Sequence, residues 1–389
     1  MSGNHGSQNP KDNSLGFLVL KIMADDLTPQ QQIEKLLSSM PQLLASDLHL
    51  KVGLVPYFRI QRVLRAAKMP PIPDSAFVEA MLHDLIPKEK LAELEKVGAV
   101  DFAASTESGD RFRINMYRAM GHTNASIRRV QGTPPSFEEL HLPEVYGELL
   151  SKTIDGLILV SGATGTGKSS TMAAMLDYIN ENRSLHIITI EDPIEFVFRP
   201  KKSIVSQREI GIDVADYPTA LRDVVRQDPD CIMIGELRDK ETMLAAIQAA
   251  ETGHLVLGSL HVSDVHQTFS RILEFFPRSE HAFIRSSLSS SIRGVLCQRL
   301  VPGIDEGSLF PATEVLLKTP SVRDLIFREK DEELPMLMER SRREGMRTFT
   351  QSLCELIESE RVHYDTAMEY ATNREALSSL VKGIKTLLD

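Results

Sequence analysis

The chain has 389 residues, which at roughly 150 residues per domain predicts two or three folded units and excludes a lone small binding module. Its 44 Lys plus Arg stand against 54 Asp plus Glu for a formal charge of -10, so no general nucleic-acid-binding coat is expected and only a local basic patch is left open. Hydrophobic residues at 42% and charged residues at 25% are those of a soluble globular chain, not a disordered one.

The first fourteen residues, MSGNHGSQNPKDNS, have almost no apolar content, and residues 1–27 are expected to form a flexible tail. The apolar stretch from Leu15 to Met23 is interrupted by Gly16 and Lys21 and is about half the roughly 18 residues of a membrane span. It also lacks the basic start and cleavage site of a secretory signal, which predicts no transmembrane segment and a cytoplasmic protein. Thr28-Pro29 reads as an N-cap and first-turn proline, with Ile33, Leu36, Leu37 and Met40 at helical spacing to about Leu44. Short alternating runs (Asp47 to Leu50, Phe112 to Tyr117) and helical segments near 75–84 and 87–97 make residues 28–131 an α+β domain. GTPPSFEELHLP, at 132–143, reads as a linker.

Residues 144–301 alternate strands at 157–160, 187–190, 231–234 and 255–260 with helices at 168–180, 217–227, 239–252 and 264–275. This rhythm predicts an α/β domain with a mainly parallel, helix-covered sheet. Residues 302–389 are expected to be a helical C-terminal region, with no strand of convincing length after 314–317. Cys231, Cys297 and Cys354 are too scattered for a disulfide framework or a paired-cysteine zinc site and read as buried thiols.

The strongest motif is Gly162-Ala163-Thr164-Gly165-Thr166-Gly167-Lys168-Ser169, a full P-loop directly after an apolar strand and opening a helix. Its glycines let backbone amides converge on a triphosphate, Lys168 can bridge the β and γ phosphates, and Ser169 can hold Mg2+; Ser170 completes the expected ATP-binding set. Two acidic sites end neighbouring strands. Glu191, Asp192 and Glu195 surround Pro193, and one of them could position water; Glu236 follows a Walker B-like strand, with Glu in place of the usual Asp. His254 and His261 flank a third strand, and His261, at its carboxyl end, could sense phosphate. Arg111 to Val130 carries five arginines and no acid. A nucleic-acid surface, a solvated strand face and an arginine finger for a neighbouring subunit all fit that pattern.

Residues 45–372 resemble the secretion-type ATPases that power type II secretion and type IV pili, most closely the pilus-retraction or twitching-motility branch and its accessory PilU-like members. The resemblance rests on Ala45-Ser46-Asp47-Leu48-His49-Leu50, Arg111-Phe112-Arg113-Ile114-Asn115, the P-loop, Thr189 to Phe196, Gln207-Arg208-Glu209, Gly235 to Asp239 and Glu251 to Leu255. It implies a PAS-like N-terminal domain joined to a RecA-like ATPase domain with a helical C-terminal extension, assembled as a ring of six. It also implies Glu195 as catalytic glutamate, Glu236 near Mg2+ with Ser169, His254 and His261 as the histidine box, and Arg113 and Arg128 reaching the adjacent subunit's nucleotide.

Assembly ATPases of the family carry a four-cysteine zinc module that three scattered cysteines cannot build, so retraction is favoured. The segment from Ser341 to Leu353 resembles the retraction group, and Val322 to Glu329 resembles its Ala-Ile-Arg-Asn-Leu-Ile-Arg-Glu motif with an extra residue, Phe327. The polar tail before residue 15 is additional, and Val262-Ser263 follows His261 where threonines are common. The expected function is a motor at the inner-membrane face, held there by a pilus platform protein. Alternatives are an accessory ATPase working with a second retraction motor, a related secretion ATPase, a non-hydrolysing regulatory subunit, and, in another class, a P-loop small-molecule kinase.

Overall fold

The computed structural model describes residues 27–388 apart from 61–62, 107–108, 131 and 306, so residues 1–26 of the expected tail lie outside the described residues. The chain divides into two compact units between Gly132 and Thr133. In the first unit, helix α1 (Pro29–Gln42) opens with a capping box. The Thr28 hydroxyl accepts from the Gln31 N–H, and the Gln31 side chain accepts from the Thr28 N–H. The helix stops two residues before the expected end because Leu43 caps it and Leu44 turns into the left-handed region at φ 51°.

Strands β1 (Ala45–Leu50), β2 (Tyr57–Ile60) and β3 (Val63–Ala66) follow, then helices α2 (Ser75–Leu82) and α3 (Lys88–Val97). Strands β4 (Ala99–Ser105), β5 (Arg111–Ala119) and β6 (His122–Arg129) complete an antiparallel sheet of order β3-β2-β1-β6-β5-β4. Phe58, Leu48, Ile127, Ile114 and Phe102 lie in one cross-strand row and pack with the three helices. One residue along, on the opposite face, Arg59, Asp47, Arg128 and Arg113 form a charged row.

The second unit begins in the expected linker. Phe137 stacks on Tyr178 at 5.4 Å and meets Tyr146 edge-on at 6.2 Å, so the latter part of that segment is packed, not free. After helix α4 (Val145–Lys152) the chain alternates β7 (Gly156–Ser161), α5 (Lys168–Asn182), β8 (His186–Glu191), β9 (Ile204–Glu209), α6 (Tyr217–Val224), β10 (Cys231–Ile234), α7 (Lys240–Glu251), β11 (Leu255–Leu260) and α8 (Val265–Leu273). Helices α6, α7 and α8 each start on an aspartate (Asp216, Asp239, Asp264) whose carboxylate accepts an N–H three residues on. The sheet order is β13-β12-β7-β11-β10-β8-β9, parallel except at β13, with apolar cores on both faces.

In the second unit three strands differ from the sequence-based expectation. Strand β9 has a mixed polar sequence at the sheet edge, and β12 (Ile292–Pro302) continues without a breaker from helix α9 (His281–Ser291). Strand β13 (Leu309–Leu317) starts five residues before the expected 314–317 segment and contains Pro311, tolerated because β13 is an antiparallel edge strand. The stretch after Pro302 is therefore not helical throughout; its helices α10 (Pro320–Phe327), α11 (Leu334–Arg340), α12 (Phe349–Glu358), α13 (Tyr364–Tyr370) and α14 (Arg374–Leu388) come after β13. All three cysteines are buried free thiols. Among the described residues no helix is long and apolar enough to cross a membrane.

Candidate active site

Because β7, β8, β10 and β11 run parallel, the segments following them meet at one edge of the sheet. A cavity of about 440 Å³ opens there, lined by Lys168 and Ser169 of the P-loop, Glu191 at the end of β8, Glu195 after it, Glu236 after β10 and His261 after β11. Thr164, Gly165, Gly167 and Ser170 also face it.

The P-loop takes its shape from sterics. Gly162 has φ 155°, and a Cβ there would lie 2.6 Å from both the Gln298 carbonyl oxygen and Thr166 Oγ1. Gly167, at φ 86°, starts α5, so the helix N-terminus faces the cavity. Lys168 Nζ donates to the carbonyls of Gly162 (2.8 Å) and Ala163 (3.0 Å), and Thr166 Oγ1 donates to Ala163 O at 2.9 Å. Burial lowers the Lys168 pKa, with Glu236 and then Glu195 opposing the shift. Those two carboxylates are therefore the electrostatic partners of the P-loop lysine.

The acidic residues divide by environment. Glu191 is buried and accepts from Thr189 Oγ1 (2.6 Å) and Gln207 Nε2 (3.0 Å). Burial raises its pKa, and these hydrogen bonds moderate the rise. It is a fixed anchor within the sheet. Gln207 also donates to Phe196 O (2.8 Å) and accepts from Phe198 N (3.0 Å), so it ties the loop bearing Glu195 to β9. Glu195 is exposed on that loop, the better-placed carboxylate for an incoming water. His261 lies between two motifs, with Nε2 3.4 Å from Glu236 Oε1 and Nδ1 3.5 Å from Thr164 Oγ1.

Other predicted residues lie elsewhere. His254 precedes β11, roughly 20 Å from His261 along that strand, and its Nδ1 contacts Ala249 O at 2.9 Å. Arg113 and Arg128 belong to the first unit. Arg128 Nε donates to Asp47 Oδ1 at 2.9 Å, and Arg113 Nε lies 3.8 Å from Asp101 Oδ1. Asp47 is also 3.8 Å from Arg59.

Two contributors had no sequence signal of their own. Gln298 on β12 donates to Thr166 O (2.6 Å) and accepts from Thr171 Oγ1 (2.8 Å), joining the P-loop and α5 to a neighbouring strand. Tyr217 at the start of α6 lines the cavity and packs against Gly235, where an added Cβ would meet its hydroxyl at 2.9 Å. The pairing of β12 with β7 brings Gln298 to the site, and the start of α6 brings Tyr217.

Ser169 and Glu236 offer hard oxygen donors on the same cavity, a set that fits Mg2+ retaining several waters.

A family profile described as "Type II/IV secretion system protein" matches residues 24–367. The chain is 38% identical over 352 residues to the type IV pilus ATPase PilU of Pseudomonas aeruginosa, covering 90% of this chain and 91% of that protein. It is 38% identical over 339 residues to the type IV pilus retraction ATPase PilT of the same organism, covering 87% and 98%. The crystal structure of the pilus retraction motor PilT with bound ADP superposes with a TM-score of 0.82 at 38% identity, covering 89% of this chain and 99% of that one.

Proposed function

Because the chain belongs to the type II/IV secretion system protein family, with PilT- and PilU-type pilus ATPases among its relatives, we propose that it is the ATP-hydrolysing motor of type IV pilus retraction. The carrying observation is the convergence of Lys168, Ser169, Glu195, Glu236 and His261 on one cavity at the sheet edge.

ATP binds with its phosphates over the P-loop amides. Lys168 leaves the loop carbonyls for the β and γ oxygens, which Glu236 and Glu195 favour by keeping its charged form stable. Ser169 and Glu236 would hold Mg2+, which would supply neutralising charge to the phosphates. Glu195 orients a water toward the γ-phosphorus and accepts its proton as the bond to ADP breaks. His261 couples Glu236 to the P-loop through Thr164 and reads the presence of the γ-phosphate.

Arg113 and Arg128 act in trans, stabilising negative charge at the nucleotide of the adjacent copy in a ring of six. Asp47, which holds Arg128, gives the Ala45 to Leu50 segment a positioning role in this reading. Losing the γ-phosphate removes those contacts and lets the two units move, and a pilus platform protein at the inner-membrane face receives the motion.

Mixing Arg113→Ala with Lys168→Ala protein tests the arrangement. Each variant alone is nearly inactive, and mixed rings regain turnover because an intact P-loop meets an intact arginine. No recovery would contradict action in trans.

A further inference from the structure

Helices α9 and α10 pack antiparallel. At one end Lys318 Nζ donates to Ser290 O, and at the other Arg285 Nη1 donates to Ile326 O at 3.2 Å. Arg285 also forms a buried bidentate bridge to Asp331 at 2.8 and 2.7 Å, which fixes the helix pair from below. Between the helices lies a cavity of about 610 Å³, lined by Ser286, Ser290, Lys318, Arg323 and Phe327. That volume is within the range of clefts that hold a ligand or several partner side chains.

The two ends of the groove differ chemically. Positions 283, 286 and 290 share one face of α9, and 323 and 327 share one face of α10. Phe327, 58% exposed, lines one end of the groove, and Phe283, 61% exposed, lies one turn beyond Ser286 on the same face of α9. Lys318 and Arg323 mark the other end. Asp324, which also lines the groove, is paired with Arg328 at 2.8 Å, and Asp155 is paired with Arg293. Among the described residues, neither Lys318 nor Arg323 forms an ion pair. Burial lowers the Lys318 pKa, Arg293 and then Arg323 add to the lowering, and Asp155 opposes it.

We propose that the α9–α10 groove is a docking site for an acidic protein segment with apolar side chains at one end, its carboxylates meeting Lys318 and Arg323 and its apolar groups covering Phe283 and Phe327. Charge complementarity selects the acidic end and exposed aromatic area the apolar end. A free phosphate would satisfy only the cations and leave both phenylalanines in water. None of these side chains lines the nucleotide cavity, so the inference stands apart from the proposed hydrolysis.

The test is fluorescence anisotropy on the full chain with a labelled synthetic peptide bearing two phenylalanines at one end and three glutamates at the other, made in both chain directions. One direction should bind, and Arg323→Glu should weaken it about tenfold. A peptide with lysines for glutamates should bind Arg323→Glu better than wild type, a gain that misfolding cannot produce. Phe327→Ser should weaken binding of the glutamate peptide, and ATP turnover of both variants should match wild type. The proposal is overturned if neither peptide direction binds wild type, or if the substitutions leave affinity unchanged. It is also overturned if Arg323→Glu changes the sedimentation of the chain alone without affecting the peptide, because the groove would then be covered by a second copy.

Discussion

His261 Nε2 stands 3.4 Å from Glu236 Oε1, while Nδ1 of the same ring stands 3.5 Å from Thr164 Oγ1. One imidazole thus spans the Walker B-like carboxylate and the tip of the P-loop, two segments carried by different parallel strands.

It follows that His261→Ala should lower ATP turnover by about tenfold to a hundredfold, because the ring orders groups without exchanging a proton with the phosphate. Nucleotide affinity, measured with a fluorescent ADP analogue, should change by less than about threefold. A large loss of ADP affinity with unchanged turnover per bound ATP would assign His261 to binding instead.

Gln298 offers a second test. Among the described residues, its side-chain amide is the only group that joins Thr166 O to Thr171 Oγ1, at 2.6 and 2.8 Å. Gln298→Leu fills the volume and strips both hydrogen bonds, leaving buried polar atoms unmatched at a cost of about 1–3 kcal/mol. ATP and ADP affinity should both fall about tenfold or more, and Gln298→Glu, which retains an acceptor for Thr171, should fall less. Equal affinities across all three proteins would remove Gln298 from the site.

How far these features could be read from sequence depends on range. The P-loop and the strands before Glu191, Glu236 and His261 were legible because each is a local pattern. The parallel order that gathers them was legible only as a rhythm of strand and helix. Gln298 and Tyr217 were not, since their part depends on which strand lies beside β7 and how α6 returns to the sheet. Strand β12 was hidden by its seamless exit from α9, and β13 by Pro311, a residue that demotes a strand in sequence and is harmless at an antiparallel edge. His254 and His261 flank one strand in the sequence, where His261 at its carboxyl end already stands out, and the six residues of β11 carry the two to opposite ends of that strand.

Glu314 gives a pH signature. Burial raises its pKa from 4.5 to about 7; the Val265 N–H, which donates to it at 2.8 Å, opposes the rise, and Asp264 adds to it. In the unfolded chain the group titrates near 4.5, so from there to about pH 7 the folded state holds a proton that the unfolded state has released. Its contribution to stability is full below pH 4.5 and falls by about 3 kcal/mol as pH rises to 7. Glu314→Gln should keep the contact with Val265 and remove this slope, so chemical denaturation should find the variant gaining on wild type from pH 5 to pH 8. Parallel pH profiles would show that Glu314 titrates normally.

The account depends most on Glu195 as the group that activates water above the P-loop. The direct measurement is ATP turnover by purified Glu195→Gln alongside its affinity for ATP. Turnover should fall by at least about a hundredfold while ATP binds within about threefold of wild type, because the amide fills the same space and cannot take a proton. Turnover within twofold of wild type would contradict the assignment and with it the hydrolytic geometry proposed for the cavity.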